Sequence, residues 1–88
     1  MKRNMELIRA LLTTVEALPD LDATLRPDQL EGYAPEAVTY HMLLLQQAGY
    51  LEVTVTEYVG EGLDCIARRL TWDGQAYLAT LREPDEQA

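Results

Sequence analysis

Residues Tyr33 to Glu52, YAPEAVTYHMLLLQQAGYLE, decide how the chain folds. Pro35 suits a first helical position, where its missing N–H falls among donors that have no intrahelical partner. From there Val38, His41, Met42, Leu44, Leu45 and Ala48 recur at helical spacing and form an inward face. Glu36, Thr39, Tyr40, Leu43, Gln46 and Gln47 are left on the outer face. Gly49 stops the helix, because glycine readily takes the left-handed turn that ends one. A strand follows at once: Leu51, Val53, Val55 and Val59 point one way, and Glu52, Thr54, Thr56 and Tyr58 the other.

Working outward toward the C-terminus, Gly60-Glu61-Gly62 reads as a flexible turn and Leu63 to Leu70 as the returning strand. That strand alternates less cleanly, since Ile66 and Leu70 share a parity with Arg68. Two readings stand: Arg68 lies at the sheet edge, or a bulge shifts the parity. Thr71 can cap a last helix, with Asp73 in its first turn. Trp72, Ala76, Tyr77, Leu78 and Leu81 supply its apolar contacts. The domain is expected to span residues 1–83, with residues 84–88, PDEQA, as a frayed polar tail.

Toward the N-terminus, Asn4 can cap a first helix carrying the stripe Met5, Ile8, Leu11, Leu12, Val15 and Leu18, which ends before Pro19. Between the two helices lies DLDATLRPDQLEG, Asp20 to Gly32. Its Asp20, Asp22, Thr24, Asp28 and Glu31 fall on calcium-loop spacing, but Leu25 stands where that loop needs glycine. The better reading is a short extended piece at Thr24–Arg26 and one helical turn at Pro27–Leu30. No metal site is expected.

The 88 residues form one domain with a single modest core, and 48% hydrophobic with 25% charged residues is ordinary globular composition. The net charge of -8 repels nucleic-acid phosphate and anionic lipid and favours a basic partner. One cysteine, Cys65, rules out an internal disulfide and fits a reducing compartment. MKRNMELIRA holds no signal-peptide apolar run, and no stretch nears the ~20 apolar residues of a membrane span, so a cytoplasmic location is expected.

The order helix, short extended segment, central helix, two-stranded hairpin, last helix is that of an α+β winged helix-turn-helix. The central helix takes the recognition position, the antiparallel hairpin is the wing, and the extended piece leaves room for a third short strand. AVTYHMLLLQQAGYLEV resembles the recognition helix and first wing strand of small bacterial winged-helix repressors, and LTWDG resembles the junction that closes their wing. Together, MKRNMELIRALL, EGYAPEAVTYHMLLLQQAGYLE and RLTWDGQAYL resemble the domain-of-unknown-function family 2513 of bacteria and phages. That resemblance implies a winged-helix fold and a phage or prophage setting, and no particular activity.

In a DNA-reading winged helix, Lys and Arg neutralise phosphates around the groove-bound helix and the wing. From Ala34 to Asp64 this chain has no Lys or Arg and five acids, Glu36, Glu52, Glu57, Glu61 and Asp64. Gln46 and Gln47 could read adenine edges, but base contacts do not replace the phosphate grip. The expected role is therefore a non-enzymatic binding protein acting on a protein partner with a basic surface. The expected surface is Glu36, Thr39, Tyr40, Leu43, Gln47, Tyr58 and Glu61. A DNA-binding transcriptional regulator is the alternative, and a homodimer is compatible with either. The competing reading of Tyr40 and Leu43 is that they merely cover the core. His41 and Cys65 could in principle pair as base and nucleophile, but no third residue orients His41 and no basic group lowers the Cys65 pKa. No catalytic residue and no cofactor is expected.

Overall fold

A computed structural model describes residues 1–60 and 62–82. Helix α1 spans Met5–Glu16, a single 3-10 turn follows at Pro27–Gln29, and helix α2 spans Pro35–Gln47. Strands β1, Leu51–Tyr58, and β2, Gly62–Leu70, form an antiparallel two-stranded sheet, and helix α3 covers Trp72–Arg82. The molecule is thus α+β, with three helices around the base of one hairpin. The expected tail at 84–88 lies outside the described residues.

Helix α1 starts where Asn4 was expected to cap it: the Asn4 carboxamide oxygen accepts from the N–H groups of Glu6 and Leu7. Its buried face is Leu7, Ile8, Leu11, Leu12 and Val15. Two members of the expected stripe are corrected: Met5 is exposed and Leu18 only half-buried, while Leu7, outside that stripe, is in the core. The reason is that α1 packs against α2, α3 and β2 together. A helix with neighbours on three sides buries a wider face than a simple stripe.

Helix α2 ends in a full Schellman motif. Tyr50 N–H donates to Leu45 O at 2.9 Å and Gly49 N–H to Gln46 O at 3.0 Å, with Gly49 at φ 84°. The chain then enters β1 in the register that points Leu51 into the core. Of the expected inward face of α2, Val38, His41, Met42 and Leu45 are buried, Leu44 is half-buried and Ala48, at the C-cap, is exposed.

The register of the hairpin settles the parity question in β2. Leu51 pairs with Leu70, Glu52 with Arg69, and Val53 with Ala67, so Arg68 is an extra residue in a β-bulge. The bulge puts Cys65, Ala67 and Leu70 on one face, and all three are buried. Leu25 adds a single bridge on the far side of β2, exchanging two 2.9 Å hydrogen bonds with Ala67. The extended piece at Thr24–Arg26 is therefore one bridge long. Pro27, without an N–H, turns the chain away into the 3-10 turn.

Only the base of the hairpin is in the core. Val55, Val59 and Leu63 are exposed, so the face that Val55 shares with Leu51 is covered only near the base of the hairpin. Trp72 is likewise 88% exposed rather than a core contact. Two residues on, Gly74 faces the body, and two helical steps turn a side chain by roughly 200°. The rest of α3 docks through Leu78, with Tyr77 and Leu81 half-buried against the core.

Candidate interaction surface

Two junctions hold α2 and the hairpin in place. At the first, His41 is 2% exposed and both its ring nitrogens are engaged. Nε2 lies 2.9 Å from the Asn4 N–H, which donates to it, and Nδ1 lies 2.8 Å from Ala37 O. This geometry needs the neutral tautomer with its proton on Nδ1. At the second junction, Thr71 Oγ1 donates to Gly49 O at 2.6 Å and accepts from Gly74 N–H at 2.9 Å. Thr71 N–H donates to Tyr50 O at 3.1 Å, and the Tyr50 and Tyr77 rings stack at 4.4 Å. One threonine thus caps α3 and ties it to the end of α2. Further out, Glu52 meets Arg69 at 3.1 Å across the strands, and Glu16 meets Arg82 at 2.8 Å between α1 and α3.

On this frame the outer face of α2 is a mixed surface. Glu36 and Gln47 are exposed; Thr39 and Tyr40 are half-buried. The Tyr40 ring sits edge-on to His41 at 5.3 Å. Leu43 is half-buried and packs against the core. Glu36 and Thr39 come together with the hairpin in an open groove of about 640 Å³ lined also by Arg26, Asp28, Leu63 and Asp64. Tyr58 is exposed and lies apart, in a shallow depression at the hairpin tip beside Glu57, Val59, Gly62 and Leu63. Glu61 lies outside the described residues. Leu63 lines both depressions and links them.

Val55, Val59 and Leu63 were missed as surface residues. Strand alternation tells which side a residue points to; it does not tell where along the hairpin the core stops. The signal available was the Gly60–Gly62 turn itself, since the residues nearest a hairpin tip are the farthest from the body.

The buried cysteine is electrostatically quiet. Burial, and then the neighbouring Asp64 carboxylate, push the Cys65 pKa above its ordinary value, which favours the thiol over the nucleophilic thiolate. Asp20 Oδ1 accepts from the N–H groups of Asp22 and Ala23, an Asx turn. Among the described residues no group of three or more His, Cys, Asp or Glu side chains is placed to hold a metal ion. No helix among them is long and apolar enough to cross a membrane.

The family model described as Hypothetical protein (DUF2513) matches residues 2–86. The chain belongs to the DUF2513 family. An "Uncharacterized protein" of Haemophilus influenzae is 40% identical over 82 residues, spanning 93% of this chain and 69% of that protein. No solved structure gives a significant match. The sequence blocks by which this DUF2513 chain was recognised coincide with the two junctions. Asn4 of MKRNM meets His41, and Thr71 and Gly74 of RLTWDG meet Gly49 and Tyr50.

Proposed function

We propose that this DUF2513 protein is a winged-helix binding protein, without enzymatic activity, that acts in a phage or prophage setting on a protein partner with a basic surface. The element order supports the winged-helix reading: α1, a turn, α2 in the recognition position, the β1–β2 wing, then α3. One observation carries the choice of partner. The stretch Ala34 to Asp64 has no Lys or Arg, yet it contributes exposed Glu36, Glu52 and Glu57 together with exposed Val55, Tyr58, Val59 and Leu63. An acidic surface with apolar and aromatic anchors repels phosphate and suits a basic protein. The cytoplasm is the proposed location. The partner would be a nucleic-acid-binding factor or a defence complex of the host, whose own basic surface this acidic face covers.

Amide chemical shifts followed in two titrations at low salt test the reading, one with a mixed-sequence DNA duplex and one with an oligolysine peptide. The peptide is expected to shift amides in Ala34–Asp64 and the DNA to leave them unmoved. Low salt is the most generous condition for a phosphate contact. DNA-induced shifts in that stretch, lost on adding salt, would overturn the proposal in favour of a DNA-binding transcriptional regulator.

A further inference from the structure

The hydrogen bonds of Ala67 fix which way the backbone of β1 faces. Ala67 gives both its N–H and its C=O to Leu25, on the side away from β1. Its partner across the hairpin, Val53, is therefore in a non-hydrogen-bonded pair, and its own N–H and C=O face away from β2. The Gln46 side chain bears this out, because its Nε2 donates to Val53 O at 3.1 Å from outside the sheet. The register runs without a shift from Val53 to Tyr58, so every second residue repeats the pattern. Val55 and Glu57 thus also turn N–H and C=O outward along the free edge of β1.

This edge lacks most of the usual protection. Natural edge strands are blunted with lysine, proline, a bulge or a covering element. Strand β1, LEVTVTEY, has no lysine or proline, and the bulge of this hairpin is in β2. Beyond Val53 every residue of β1 is exposed. Beyond Val53, whose carbonyl Gln46 covers, its guard is charge. Glu52 is neutralised by Arg69 at the base, but Glu57 stands near the tip, opposite Leu63 and unpaired among the described residues, and no Lys or Arg occurs between Ala34 and Asp64. Such an edge discourages a second copy of a chain of net charge -8 and attracts a strand bearing lysine or arginine.

We propose that β1 is a docking edge for strand addition: an extended segment of a basic protein partner pairs with Val55 and Glu57, beyond the point where Gln46 holds the Val53 carbonyl, and sets a Lys or Arg side chain against Glu57. This rests on the protein-partner reading and deepens it by naming the mode of binding. Main-chain hydrogen bonds would supply affinity, and Glu57 would select the charge. The added strand would run beside the C-terminal end of α2, where Gln46 already reaches the same edge.

The test is selection of a displayed library of random linear peptides on the full chain, followed by amide exchange with the selected peptides. Selected sequences are expected to alternate apolar or β-branched residues with Lys or Arg. They should protect the amides of Val55 and Glu57, which otherwise face solvent. Val55→Pro removes an outward N–H that the ladder does not use, and is expected to weaken binding about tenfold. The exchange pattern of the unaltered protein gives the same answer if that variant fails to fold. Peptides that bind Val55→Pro equally well and shift Tyr40 and Gln47 instead would end strand addition while leaving a protein partner in place. Selected peptides without basic residues would overturn both proposals. A concentration-dependent dimer abolished by Val55→Pro would assign the edge to a second copy and overturn the basic partner strand.

Discussion

The main-chain N–H of Asn4 donates to Nε2 of His41, 37 positions away, at 2.9 Å. The same asparagine caps α1 with its side chain, so one residue starts the first helix and joins it to the middle of the second. The link is buried on the histidine side, where an unpaired Nε2 acceptor would be costly, and exposed on the Asn4 side. His41→Ala leaves a cavity and removes the link between the two helices, and should cost roughly 3 kcal/mol. Asn4→Ala keeps its N–H on His41 and loses only the cap, about 1 kcal/mol. Urea denaturation of the two variants measures the difference. Equal midpoints would show that the histidine contributes no more than the cap.

Gly74 offers a test in which two arguments have opposite signs. It lies inside α3, where alanine is the better helix former by about 1 kcal/mol. A Cβ at Gly74, however, would collide with the Tyr50 carbonyl oxygen, and that oxygen is backbone held by Thr71 N–H. The clash cannot be relieved by turning a side chain. Gly74→Ala should therefore destabilise the fold by roughly 3 kcal/mol or more, with separation of α3 from the end of α2. A thermal melt decides, because a raised midpoint would mean that propensity wins and the junction is loose.

Cys65 makes the stability of the domain sensitive to alkaline pH. Its pKa is raised in the folded state, first by burial and then by Asp64, from an ordinary 9.0. The unfolded chain therefore loses the thiol proton at lower pH than the native state does. The stability this contributes is fully present below the unfolded pKa and is lost as pH rises through the folded one. Cys65→Ala should lower stability at neutral pH by removing buried volume, and should flatten the decline as pH rises above the ordinary thiol value of 9.0. Parallel slopes for the two proteins in denaturation series would remove Cys65 from the alkaline transition.

Where these groups sit was partly legible in the residues alone. Asn4, Gly49 and Thr71 announce their roles, because caps and left-handed turns depend on local chemistry. Pro27 and Pro35 mark the two helical starts for the same reason. The face buried by β2 was not legible. Cys65, Ala67 and Leu70 share it only because Arg68 bulges, and a bulge is set by pairing with another strand. Trp72 was misplaced because a large aromatic residue is usually buried; here the adjacent Thr71 and the close approach at Gly74 leave it facing out. Of the expected surface, Glu36, Gln47 and Tyr58 are exposed, whereas Leu43 leans on the core, and periodicity cannot separate a boundary residue from either side.

Leu43 and Tyr58 therefore make the sharpest pair for separating fold from binding. Leu43 packs against the core from the outer face of α2, so Leu43→Ala should cost about 2 kcal/mol of stability whatever it does to a partner. Tyr58 is exposed beside Glu57 and Val59 at the hairpin tip, and Tyr58→Ala should change stability by less than about 0.5 kcal/mol. If the tip is an anchor, Tyr58→Ala should still weaken binding of a basic peptide or partner about tenfold, since aromatic side chains dominate the centres of protein interfaces. Denaturation midpoints and titration isotherms on the same two variants check both halves. Tyr58→Ala with unchanged affinity would move the binding surface off the hairpin tip. A destabilised Tyr58→Ala would show that the tyrosine folds back onto the body.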